Sequence, residues 1–161
     1  MSFVLIPRFS YKMRQHVCKA GFLFILFFFL NFACCHVYAQ QTPYETNGKN
    51  YTATYEECIH FYRQLDQQYE TVSMIEMGMT DAGLPLHLVL LNGEAAFEPS
   101  RWHENGQVVI LINNGIHPGE PDGIDASMML VRDLVEHNAL PSNISLAFIS
   151  VYNIGGCLNR S

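Results

Sequence analysis

Ile112-Asn113-Asn114-Gly115-Ile116-His117-Pro118-Gly119-Glu120-Pro121-Asp122-Gly123 is the stretch on which the reading of this chain turns. It follows an unbroken apolar run, Gln107 to Ile112, which reads as a strand buried on both faces. It precedes a helical pattern from about Asp122 to His137, with Ile124, Met128, Val131, Leu134 and Val135 on the inner face. Pro121 suits the first helical turn, where its missing N–H leaves nothing unpaired. The quoted residues therefore form a polar, Gly- and Pro-rich loop between a buried strand and a helix. In layered α/β folds, sites form in loops beyond the carboxyl ends of strands.

Two residues of that loop carry chemistry. Imidazole nitrogen and carboxylate oxygen are both zinc ligands, and catalytic zinc commonly takes three protein ligands plus a water. His117 and Glu120 supply one of each, three residues apart. Gly119 permits a tight backbone and Pro118 stiffens the loop. Glu120 stands at the start of the helix, where the dipole favours a negative charge. His-x-x-Glu alone arises often by chance, and a solvated polar loop accounts for it equally well. The position between buried strand and helix is what favours a metal.

Upstream, Thr54 to Glu70 reads as a helix. Thr54 and Glu57 have capping-box spacing, and Ile59, Tyr62, Leu65 and Tyr69 make one apolar stripe. Val72 to Met79 and Leu84 to Leu91 form a hairpin about Asp81-Ala82-Gly83. Asn92 to Gly106 reads as a loop. Downstream, Ile144 to Val151 is another strand, expected to have an unpaired side. Strands alternating with helices indicate an α/β fold, a mixed and mostly buried sheet flanked by helices.

The quoted loop resembles the first zinc-binding motif of the carboxypeptidase A-like zinc metallopeptidases. Gly78 to Leu86 is similar to that family's hairpin ahead of the motif. Val151-Tyr152-Asn153-Ile154-Gly155-Gly156 resembles its strand-to-loop segment after it, with Ile154-Gly155 where many members have Pro-Asp. The resemblance runs from about Tyr51 to Ser161 in one order. It implies a zinc exopeptidase-like fold, present in part, and a metallocarboxypeptidase that hydrolyses peptide bonds with a zinc-activated water. It implies His117 and Glu120 as the first two Zn2+ ligands and a peptide or protein substrate. The family's third ligand and general base come from later segments, so the expectation is a chain truncated before both. Arg160 is not assigned. His60, His87, His103 and His137 each have a local reason to be where they are: a helix, an apolar strand, an acidic loop and a helix end.

The first 39 residues have a different character. Arg8, Lys12, Arg14 and Lys19 precede an apolar run of about 14 residues, Ala20 to Ala33, and then Val37-Tyr38-Ala39. This is the layout of a secretory signal, with cleavage near Ala39. The run is shorter than the roughly 20 residues that span a bilayer. Residues 40–50 read as a polar tether, and residues 51–161 as the N-terminal portion of the catalytic domain. The location expected is secreted or periplasmic, with no stable membrane association after cleavage. All 15 acidic residues lie beyond Ala39 with only five basic ones, which argues against nucleic acid as a partner. Cys58 and Cys157 remain after cleavage, and sequence alone leaves their pairing open. Two other readings are a catalytically inactive secreted domain that binds a peptide or partner, and a membrane-tethered structural protein with an uncleaved anchor.

Overall fold

A computed structural model describes residues 40–117 and 119–159. The expected signal segment, Pro118 and Arg160 lie outside the described residues. The elements run α1 (Pro43–Thr46), α2 (Tyr55–Gln68), β1 (Val72–Met79), β2 (Pro85–Asn92), α3 (Pro99–Glu104), β3 (Val108–Asn113), α4 (Asp122–Glu136), β4 (Ile144–Ile149) and α5 (Ile154–Leu158).

Four strands form one mixed sheet in the order β1-β2-β4-β3. β1 and β2 are the antiparallel hairpin, and β2 runs antiparallel to β4. β3 and β4 are parallel, registered from Val108 opposite Ile144 to Asn113 opposite Ile149. Parallel neighbours need a long crossover, and here it contains the loop that carries His117 and Glu120, followed by α4. The fold is thus the expected α/β arrangement of a mixed sheet flanked by helices.

α2 begins as its sequence dictates. The Thr54 side chain accepts from Glu57 N–H and the Glu57 carboxylate accepts from Thr54 N–H. Its buried stripe, Cys58, Ile59, Tyr62 and Leu65, packs on the sheet. Val89 and Leu91 of β2, Leu146 and Phe148 of β4, and Ile124, Met128 and Val131 of α4 complete this core. Cys58 and Cys157 are both buried, on α2 and α5, which touch.

Three expectations need correction. β3 is not buried on both faces: Val108, Val109, Ile110 and Leu111 are 53%, 49%, 41% and 60% exposed. Among the described residues β3 pairs only with β4, so β3 is an edge strand. β4, expected to have an unpaired side, is the interior strand between β2 and β3. The stretch 92–106 is not all loop: Pro99 opens the short helix α3, and its Trp102 is buried against Leu90 and Ala147 on the second face of the sheet.

Of residues 40–50, read as a polar tether, residues 40–45 pack on the domain and 46–50 are exposed. Thr42 is fully buried and forms a capping box with Glu45 at the start of α1. Arg132 of α4 reaches this segment, donating through Nη1 to Gln40 O at 3.1 Å and to the Glu45 carboxylate. Arg132 also holds Asp133 through Nε and Nη2.

Candidate metal centre

The loop between β3 and α4 is fixed mainly through its first residues. Asn114 N–H donates to Ile149 O at 2.9 Å, and Asn114 O accepts from Tyr152 N–H at 2.9 Å. Asn153 N–H then donates to Gly115 O, also at 2.9 Å. The loop is stitched to the chain leaving β4, so the site sits at the carboxyl ends of two parallel neighbours. The left-handed residue is Gly115, with φ +63°, and not Gly119. A Cβ at position 115 would lie 3.2 Å from Ile124 Cδ1 and 3.4 Å from Val151 Cα, so this glycine serves both conformation and close approach.

His117 and Glu120 stand together beyond that anchor. His117 Nδ1 lies 3.6 Å from Glu120 Oε2, and Glu120 N–H donates to His117 O at 3.0 Å. Both side chains are exposed, at 76% and 80%. Two ligands about 2.05 Å from one tetrahedral zinc ion lie about 3.3 Å apart. The observed separation is close to that, and the donor set, one imidazole nitrogen and one carboxylate oxygen, is of the right kind. The pair fits zinc in chemistry and spacing but supplies two of the three protein ligands a catalytic site commonly uses. Among the described residues no group of three or more His, Cys, Asp or Glu side chains is arranged to hold a metal.

The other polar groups singled out by sequence lie elsewhere or in different settings. Pro121 occupies the N-cap of α4 rather than its first turn. Asp122 is exposed in the first turn, whereas Asp125 is buried and accepts from Ala53 N–H at 3.1 Å. His60 is exposed on α2. His87 is buried in β2 beneath Tyr55. His103 lies on α3, not in a loop. His137 Nδ1 meets Asp133 O at 2.8 Å at the end of α4. A cavity of about 380 Å³ adjoins the loop at Ile116, lined also by Thr80, Asp81, Leu86, Tyr152 and Asn153.

Sequence reading passed over the role of Asn114. Its side-chain Nδ2 donates to Ser127 Oγ at 2.8 Å inside the protein. The available signal was an Asn directly after an apolar strand, followed by glycine, where a buried amide commonly locks a turn.

Comparison with solved structures identifies the fold. A carboxypeptidase A from Helicoverpa armigera superposes with TM-score 0.57 at 18% identity, over 67% of this chain and 26% of that one. Bovine thrombin-activatable fibrinolysis inhibitor, in complex with tick carboxypeptidase inhibitor, gives 0.55 at 15% identity, over 66% and 33%. A second structure of thrombin-activatable fibrinolysis inhibitor gives 0.54 at 16%, over 66% and 26%. No family model matches the sequence, and no curated protein sequence matches it significantly. The chain therefore has a carboxypeptidase-like α/β fold. It spans about a quarter to a third of the length of these solved carboxypeptidases. No helix among the described residues is long and apolar enough to cross a membrane.

Proposed function

We propose that this chain is the metal-holding front portion of a secreted zinc metallocarboxypeptidase, with His117 and Glu120 as two of the metal's protein ligands. The observation that carries the reading is the 3.6 Å approach of His117 Nδ1 to Glu120 Oε2, in a loop between a parallel strand and a helix of a carboxypeptidase-like fold. A zinc ion held there would polarise a scissile carbonyl and lower the pKa of its water.

The work of this chain's own residues is to bind and orient. His117 offers a ring nitrogen and Glu120 a carboxylate oxygen from one short loop. Asn114, Gly115 and Asn153 fix that loop against β4, which limits the entropy lost when a ligand is bound. The third ligand, the proton-accepting glutamate and the substrate grip belong to polypeptide beyond these elements in this reading. The basic and apolar start of the sequence, with cleavage near Ala39, supports export. The acidic remainder supports a peptide or protein partner over nucleic acid.

The test uses the protein purified from its source. It is assayed on one peptide with a free C-terminal carboxylate and on the same peptide amidated. Release of the terminal residue from the free form alone, lost on chelation and restored by zinc, is the expected result. Zinc-independent hydrolysis, or none with zinc bound, contradicts the proposal. The second outcome favours the inactive, peptide-binding reading.

A further inference from the structure

We infer that Asn114 is the positioning residue of the metal loop, acting through a contact that requires glycine at position 123. The inference rests on the assignment of His117 and Glu120 as ligands. Those two residues lie on a loop whose ends belong to different elements, β3 and α4. Asn114 is bonded to both ends. Its backbone ties the β3 end to Ile149 O and Tyr152 N–H, each at 2.9 Å. Its side chain ties the α4 end, with Nδ2 donating to Ser127 Oγ at 2.8 Å. Both partners are buried, Asn114 at 9% and Ser127 at 5% exposure, so neither is freely replaced by water.

Gly123 reports how tight the contact is. A Cβ built at position 123 would lie 2.7 Å from Asn114 Oδ1 and 3.4 Å from Asn114 Cγ. No ordinary contact is that short, so alanine at 123 must displace the Asn114 amide. Position 123 is the second residue of α4, where alanine is otherwise the better helix former. Helix propensity and loop geometry therefore pull in opposite directions at this position. The ligand pair sits three and six residues beyond Asn114, with the two side chains exposed and 3.6 Å apart. Its separation depends on where the two loop ends are held, and the Asn114 side chain sets that distance from inside.

The test is zinc affinity, measured by calorimetry with zinc alone on the full chain and on Asn114→Ala, Gly123→Ala, their double variant and Ser127→Ala. Phe61→Leu, in the α2 core, is the control for general loosening. Outer groups that orient metal ligands typically change affinity 10- to 100-fold. The single variants Asn114→Ala and Gly123→Ala are expected to bind zinc about tenfold more weakly, toward the lower end of that range. The double variant should match Asn114→Ala alone, because alanine at 114 removes the oxygen that clashes. Ser127→Ala should weaken binding in the same direction, and it stands in if Asn114→Ala does not fold. Phe61→Leu should lower the melting temperature and leave zinc affinity alone. Affinities of Asn114→Ala and Ser127→Ala equal to the parent's, or additive losses in the double variant, overturn the inference. Zinc binding that survives His117→Ala overturns the ligand assignment itself.

Discussion

His87 of β2 faces Glu76 of β1 across a cross-strand pair, with Nε2 3.7 Å from Oε1. The Tyr55 hydroxyl donates to Pro85 O at 2.6 Å, so it accepts from His87 Nδ1, 3.3 Å away. That assigns the ring proton to Nδ1 and leaves buried Nε2 without a hydrogen-bond partner. Burial pushes the His87 pKa below the usual imidazole range; Glu76 pulls it up, Arg63 pushes it down, and the net shift is downward.

A histidine that is harder to protonate folded than unfolded makes stability fall on acidification. The unfolded chain takes up the proton near pH 6.5, and the folded chain only below that. The contribution of His87 is thus complete above about pH 6.5 and is lost as pH falls toward the folded pKa. Urea unfolding from pH 7.5 to 5 should show this decline, and His87→Gln should flatten it. Equal slopes for the two proteins would remove His87 from the explanation.

Arg132 and Glu45 should behave as a latch. Their side chains are 9% and 23% exposed, so the pair is poorly screened. Burial raises the Glu45 pKa, but hydrogen bonds from Arg132 and Thr42 outweigh it and the net shift is downward. Its contribution is present above the unfolded value, about 4.3, and is lost as pH falls through the folded one. Arg132→Met should cost about 2–3 kcal/mol in denaturant unfolding, because Glu45 is left part-buried without its cation. It should also open residues 40–51 to protease. An unchanged cleavage pattern would mean that other contacts hold this segment.

The β3 edge should make these elements self-associate when isolated. Val109 and Leu111 project from it on the same face as Ile75, Met77, Leu88 and Ala147, around an apolar cavity of about 570 Å³. Exposed apolar edges template pairing with another chain. Val109→Lys and Leu111→Lys should each suppress light scattering while changing stability by about 0.5 kcal/mol or less. A parent protein that stays monomeric at high concentration would contradict this.

Local chemistry explains what could be read from the sequence. The α2 start follows from Thr54 and Glu57, the hairpin from Asp81-Ala82-Gly83, and α4 from a regular apolar stripe. The approach of His117 to Glu120 was legible because the two stand three residues apart on one loop. What escaped depends on distant partners. Five consecutive apolar residues in β3 look alike whether a neighbour covers them or not. Residues 40–45 look like part of a tether until Arg132, 87 positions from Glu45, is brought against them. Asn114 carries no mark in sequence of its bond to Ser127, which exists only once α4 folds back on the sheet.

The most direct measurement is zinc titration of the full chain, followed through the imidazole resonances of its histidines by NMR. His117 should respond first, ahead of the exposed His60, His103 and His137, and Glu120→Gln should weaken that response about tenfold or more. If His117 shifts no earlier than those three, or is indifferent to the loss of Glu120, the loop from Ile112 to Gly123 is not a metal centre and the carboxypeptidase-like fold serves another purpose here.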